Sequence, residues 1–222
     1  MNKTSLYDLK QKEYYTGANI DLFGLVEVAD KSILDVGCSE GNSATYLRSK
    51  GAEEIWGVEM SLSAASQAQQ KMDYVFIGTI EAFLESEHVA NRFDLIILGD
   101  VLEHLFDPWL VLKRLSGLLT ESGQILISLP NVRNISVLKP LILKGEWRYE
   151  LSGILDNTHL RFFTYKSAIR MINDAGFSVA KVSGNRFGGK WGVFNRLTLG
   201  LFKEFIITQH YFLCRKVELR EK

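Results

Sequence analysis

SILDVGCSEG, residues 32–41, runs from a short apolar stretch into a turn of small and acidic residues. Ser32–Val36 reads as a buried strand, and Asn42 to Lys50 as a helix with Asn42 or Ser43 at its N-cap. A strand, a glycine-bearing turn and a helix open a βαβ unit, and a ligand of nucleotide type crosses the sheet at such a turn. Gly37 permits a tight turn and close approach of ligand to backbone, while Gly41 lets the helix start pack on the strand. Glu59 closes the next strand, placed to accept hydrogen bonds from both hydroxyls of a ribose. The stretch lacks the G-x-G-x-x-G spacing that binds a pyrophosphate. Acidic residues stand where phosphate would need amides and positive charge, so the ligand expected here is neutral or cationic and carries a ribose.

The same rhythm continues outward. Glu54–Glu59, Tyr74–Ile77, Phe93–Gly99 and Gly123–Leu129 read as further strands. Ser61 caps a helix to about Met72, a short helix covers Glu81–Glu87, and Pro108 opens a helix to Leu119. The apolar run FDLIILG at 93–99 suits a central parallel strand, buried on both faces. After Pro130 the rhythm breaks until Thr164, which caps a helix through Ala175 that Gly176 stops. Phe177–Val182 and His210–Val217 read as the last strands, with helical spacing over Phe194–Ile207. The expected fold is α/β: a Rossmann-like, seven-stranded, mostly parallel sheet with an antiparallel last strand and helices on both faces. One domain spans 1–222, with 131–163 and 184–207 as substrate-side insertions, because long irregular segments in compact domains are usually binding loops or lids.

Composition narrows the class. With 46% hydrophobic and 23% charged residues the 222-residue chain is an ordinary globular protein, neither disordered nor collagen-like. Two cysteines, Cys38 and Cys214, exclude a disulfide scaffold and favour a reducing compartment. No secretory signal or membrane-spanning run is visible, so the expected location is cytoplasmic, with the inner face of the membrane as an alternative. The zero net charge hides an asymmetry. Residues 1–130 carry 10 basic and 19 acidic side chains, and residues 131–222 carry 16 and 7. The basic C-terminal part favours anionic ligands or surfaces.

LDVGCSEG, VEMS, GTIEAF, FDLIILGDVLEHLFDP and GQILISLPN, in this order, resemble the class I S-adenosylmethionine-dependent methyltransferases. Ser39 stands where the usual pattern has a third glycine. The resemblance implies S-adenosylmethionine as cofactor. It implies that Asp35, Gly37, Cys38 and Gly41 hold the methionine moiety, Asp35 through its amino group. Glu59 then binds the ribose, Met60, Thr79 and Ile80 lie along the adenine, and Asp100 ends the fourth strand beside the transferred methyl. Thr79 departs from the acidic residue usual at its position. SLPNVRN, GILDNTHLRFFT and the AGF at 175–177 further resemble a bacterial subgroup found with glycosyltransferases of surface-polysaccharide assembly.

A sulfonium donor is already activated, so such an enzyme mainly aligns donor with acceptor and excludes water. A hydroxyl acceptor must also lose a proton, and His104, His159 and Asp156 are the candidate bases. Asp100, Glu103 and His104 lie within five residues, and with His159 they form an alternative set of ligands for a divalent cation such as Mg²⁺, Mn²⁺ or Zn²⁺, although the metal-free reading is preferred. A similar arrangement binds metal in RNA 3′-terminal 2′-O-methyltransferases and looks like the motif of ubiquinone-biosynthesis O-methyltransferases. Asn131, Trp147, Tyr149 and Arg161 are the candidate acceptor contacts. Arg186, Lys190, Arg196 and Lys203, interleaved with Phe187, Trp191, Phe194 and Phe202, make 186–207 a candidate peripheral membrane contact, or else a cover for the sheet or a homodimer contact. No nucleic-acid partner is expected. The expected activity is methyl transfer to a hydroxyl of a small molecule, sugar or lipid-linked glycan. The alternatives are a quinone-precursor O-methyltransferase and a cofactor-binding accessory subunit without catalysis.

Overall fold

The computed structural model describes residues 19–90, 92–185 and 195–217. Seven strands form one sheet in the order β3-β2-β1-β4-β5-β7-β6. They are β1 (Ser32–Val36), β2 (Glu54–Glu59), β3 (Tyr74–Ile77), β4 (Phe93–Gly99), β5 (Leu119–Pro130), β6 (Phe177–Gly184) and β7 (Gln209–Lys216). The first five pair in parallel, and β7 runs antiparallel between β5 and β6. The helices are α1 (Ile20–Phe23), α2 (Asn42–Ser49), α3 (Leu62–Ala68), α4 (Ile80–Phe83), α5 (Pro108–Leu115), α6 (Ile135–Lys144), α7 (Tyr165–Asp174) and α8 (Lys203–Ile206).

Alternation along the strands divides the core in two. Ile33, Ile55, Leu95 and Ile97 pack on one face with Leu22, Phe23, Ala44, Leu47, Ala65 and Ala68. Leu34, Ile96 and Leu98 pack on the other with Val111, Leu112, Leu115, Met171 and Ile172. Both faces of the central strands are therefore covered, as their continuous apolar runs require.

Local chemistry shifts several boundaries. Neither Asn42 nor Ser43 caps α2. Gly41 does, at φ +70°, without a side-chain bond. Asn42 accepts instead from the Lys71 ammonium at 2.8 Å, and the Ser43 hydroxyl is spent on Asp35. The helix after Ser61 ends at Ala68 rather than Met72. The helix that opens at Pro108, capped by Asp107, ends at Leu115, and a 3₁₀ turn over Ser116–Leu118 leads into β5, which begins four residues before the expected start. Thr164 and Ser167 form the expected start of α7 as a reciprocal capping box. Within 194–207 the described helical residues are 195–197 and α8, with turns between them, and residues 186–194 lie outside the described part.

Residues 131–163 leave and rejoin the sheet edge at a single bridge, Asn131 to Phe163. The segment carries α6, then a loop that returns across the end of β4. There the Leu160 and Arg161 N–H groups donate to the Glu103 carbonyl at 2.8 and 3.0 Å.

Candidate active site

A cavity of about 710 Å³ opens at the carboxyl ends of β1, β2 and β4, where a parallel sheet leaves a crevice. Its floor is the turn after β1. The Gly37 and Cys38 N–H groups donate to the Val58 carbonyl at 2.8 and 3.2 Å, which curls the turn under the ligand space. Gly37 adopts φ +71°, and a Cβ there would come 2.8 Å from Val101 Cγ2. Gly41 lies against Ala68 of α3, whose Cα would be 3.0 Å from an added Cβ. Ser39 is also left-handed, at φ +50°, which explains why glycine is usual at this place.

Two carboxylates line this floor. Asp35 is buried, and burial pushes its carboxyl up to about 6. The Ser43 hydroxyl donates to it and pulls the other way, while the charge of Glu59 pushes it up further. Glu59 is oriented by backbone: the Ser39 N–H donates to Oε2 at 2.9 Å and the Ser61 N–H to Oε1 at 2.7 Å. A carboxylate accepts several hydrogen bonds at once, which is what binding a diol requires. Burial, then the charges of Asp35 and Glu59, raise the Cys38 thiol far above its ordinary range, so it lines the cavity as a neutral group. Met60, Thr79 and Ile80 line the same space. The Thr79 hydroxyl caps α4, accepting from the Ala82 N–H at 3.2 Å.

Asp100 sits at the end of β4 with φ +56°, a strained conformation for a residue with a side chain. Two groups that the sequence reading did not single out hold it there. The Asp100 N–H donates to Ser128 Oγ at 2.9 Å, the Ser128 hydroxyl donates back to Asp100 Oδ1 at 2.9 Å, and Gln209 Nε2 donates to that same oxygen.

The opposite rim is the 3₁₀ turn Leu102–His104 facing the loop that carries His159. The His104 and His159 rings meet edge to face, 4.7 Å between centroids. His159 Nε2 lies 4.0 Å from Glu103 Oε1, with both side chains buried. Among the described residues, Glu103, His104 and His159 bring one ligand-capable atom each within 4.8 Å of one another. Asp100 is not in this group, because its carboxylate turns toward Ser128 and Gln209. The expected four-ligand set therefore reduces to three.

Of the expected bases, only His104 lines the cavity. Asp156 stands one step behind: its Oδ1 accepts from the Thr158 N–H at 2.8 Å and from the Thr158 hydroxyl at 2.6 Å. The expected acceptor contacts lie elsewhere. Asn131 is fully buried, and its Nδ2 donates to the Glu204 and Ile207 carbonyls at 2.8 and 2.9 Å, so it ties α8 to the end of β5. Arg161 donates to the Phe106 carbonyl and lies over the Phe106 and Trp109 rings, shaping the rim from behind. Trp147 packs edge-on against Phe162, and Tyr149 is solvent-exposed nearby. None of these four lines the cavity; Phe106, Leu105, Leu22, Phe23 and Asn19 do. Polar character alone cannot separate a ligand contact from a residue that satisfies buried backbone, which is why Asn131 misled.

The residues present fit S-adenosylmethionine. The close approach at Gly37 leaves no room for a side chain, a buried carboxylate in the cavity offers a partner for an amino group, and a backbone-anchored carboxylate offers acceptors for a diol. Residues 9–182 match the family model described as a methyltransferase domain. The ubiquinone biosynthesis O-methyltransferase of Neisseria meningitidis serogroup C is 28% identical over 171 residues, covering 72% of this chain and 69% of that protein. The enzyme of the same description from Aeromonas salmonicida is 24% identical over 205 residues, covering 89% and 83%. The fold is also that of the magnesium protoporphyrin IX methyltransferase of Synechocystis, solved with S-adenosylhomocysteine bound. That match has a TM-score of 0.59 at 14% identity and covers 97% of this chain and 83% of that one.

Proposed function

Because this chain belongs to the methyltransferase-domain family, we propose that it methylates a hydroxyl of an acceptor held between the cavity and the His104–His159 rim. It is an S-adenosylmethionine-dependent enzyme, and the cofactor supplies an electrophilic methyl on a sulfonium. Asp35 takes the amino group, with the Gly37–Gly41 turn and Cys38 against the methionine moiety. Glu59 takes the ribose diol, and Met60, Thr79 and Ile80 take the adenine. Asp100, held by Ser128 and Gln209, lies at the methyl end. His104 receives the acceptor proton. The observation that carries this reading is that one cavity is lined at once by Asp35, Glu59, Asp100 and His104.

The rim suits an acceptor carried on an apolar group, since Phe106 is 76% exposed and Trp109, Leu110 and Leu160 also present apolar surface. A lipid-linked glycan has this character. So does a quinone precursor, which the relatives named for ubiquinone biosynthesis favour. Ile142, Leu143, Leu197, Leu199 and Leu201 are strongly exposed, and Arg196 and Lys203 stand beside the last three. That surface supports contact with an anionic membrane, where such acceptors reside. No helix among the described residues is long and apolar enough to cross one.

The 4.8 Å convergence of Glu103, His104 and His159 favours a second account of the proton step. In it these side chains hold a divalent cation, which would lower the pKa of the acceptor hydroxyl. Chelation separates the two accounts: turnover survives if His104 is the base, and is lost and then restored by added Mg²⁺, Mn²⁺ or Zn²⁺ if a cation serves. The test of the activity itself is transfer of labelled methyl into a cell extract with identification of the product. Absence of any labelled product, with cofactor binding intact, would leave the accessory-subunit reading in its place.

A further inference from the structure

The rim fixes more than the place of the two histidines. The Thr158 carbonyl oxygen lies 3.3 Å from His104 Nδ1. A carbonyl has no proton to give, so Nδ1 is the donor. Thr158 Oγ1 lies 3.2 Å from the same nitrogen, and its own proton goes to Asp156 Oδ1 at 2.6 Å, so the hydroxyl faces His104 with a lone pair. Asp156 is fully buried and also takes the Thr158 N–H, which sets the direction of the whole turn. Leu160 and Arg161 clamp that turn to the Glu103 carbonyl, one residue before His104. His159 is treated alike, its Nδ1 lying 3.0 Å from the Ile154 carbonyl.

We propose that Asp156 and Thr158 are positioning residues that lock His104 with its proton on Nδ1, so that the neutral ring carries its basic lone pair on Nε2. Free histidine in water prefers the opposite tautomer, so a base or ligand at Nε2 has to be arranged by the hydrogen bond at the other nitrogen. Asp156 acts through Thr158: it commits the hydroxyl proton, so the hydroxyl cannot donate to Nδ1 and reverse the tautomer. The same arrangement serves His104 as a base or as a ligand, because both use Nε2. The proposal rests on the reading that His104 serves the acceptor hydroxyl.

The chain has only four histidines, so long-range ¹⁵N–¹H correlation spectra of the whole protein can be assigned by single substitutions. The proton on His104 is expected on Nδ1 in the unliganded wild type. Thr158→Val removes one of the two acceptors, and Asp156→Ala frees the threonine hydroxyl to donate. Each should shift the tautomer ratio toward Nε2–H by about tenfold, the equivalent of one ordinary hydrogen bond. Thr158→Ser should restore the wild-type ratio. Turnover should fall in proportion to the fraction of His104 that carries its proton on Nδ1 in the first two variants while the affinity for S-adenosylhomocysteine stays unchanged, and the serine variant should recover it. A wild-type spectrum with the proton on Nε2, or an unshifted ratio in both altered variants, overturns the proposal. Full turnover in His104→Ala, with the tautomer shifts as expected, would instead refute the role of His104 in methyl transfer and leave the lock standing.

Discussion

Lowering the pH from about 8 to about 5 should weaken S-adenosylhomocysteine binding roughly tenfold, through Asp35 alone. The ligand keeps the amino group of the cofactor, and only an ionised Asp35 pairs with that cation. Burial holds the carboxyl at about 6. Roughly one molecule in eleven is then ionised at about pH 5, against nearly all at about pH 8. Binding at about pH 5 should therefore release close to one proton per ligand, which calorimetry reads from the dependence of the heat on buffer ionisation. The same group carries a stability consequence of opposite sense. Its folded value of about 6 lies above the ordinary 3.8, so the folded state binds more protons between these two values. Stability drawn from this group is full below pH 3.8 and is lost as the pH rises through 6, by up to about 3 kcal/mol. Asp35→Asn should thus raise the melting temperature of the unliganded protein at about pH 8, raise it about half as much at about pH 5, and abolish the pH dependence of binding. An affinity unchanged across this range, or a dependence that persists in Asp35→Asn, would refute the assignment.

Three further outcomes follow from geometry. Gly57→Ala would bring a Cβ to 2.5 Å from Cys38 Sγ and 2.6 Å from Met72 Sδ, so urea unfolding should show a loss of about 1–3 kcal/mol from overpacking. Ser39→Gly relieves a left-handed serine and should stabilise the protein by up to about 1 kcal/mol, with cofactor affinity retained; a destabilised variant would show that the serine side chain is needed in the turn. Asn131→Ala removes two bonds to buried carbonyls and should cost about 1–3 kcal/mol, while the acceptor KM of the folded variant stays near wild type. A large rise in KM at unchanged stability would return Asn131 to the acceptor site.

Strand positions were legible because most strands carry a short apolar stretch bounded by turn residues, and the observed β1 through β4 begin and end where the sequence places them. The cofactor turn was legible for a related reason. Its demands are local: glycine where the backbone is left-handed or crowded, and a carboxylate at each of two adjacent strand ends. Helix ends were less so, since Asn42 and Ser43 look like caps until the fold sets Lys71 and Asp35 beside them. The acceptor side could not be read in this way. Asn131 and Arg161 have the polar character of ligand contacts, yet each is consumed by backbone carbonyls brought in from distant segments, and Asp156 is held by the N–H and hydroxyl of Thr158 within its own turn. Ser128 and Gln209 carry no signal of their own and acquire a role only because β5 runs beside β4, setting Ser128 against Asp100, and β7 runs antiparallel beside β5 and delivers Gln209 to the same carboxylate. The sequence by itself determined the sheet, the cofactor turn and the chemical types at the rim, because these depend on near neighbours and on burial. Only the tertiary structure decided which polar groups face the cavity and which nitrogen of His104 keeps the proton, because a hydrogen bond between residues far apart in the chain depends on how the loops close.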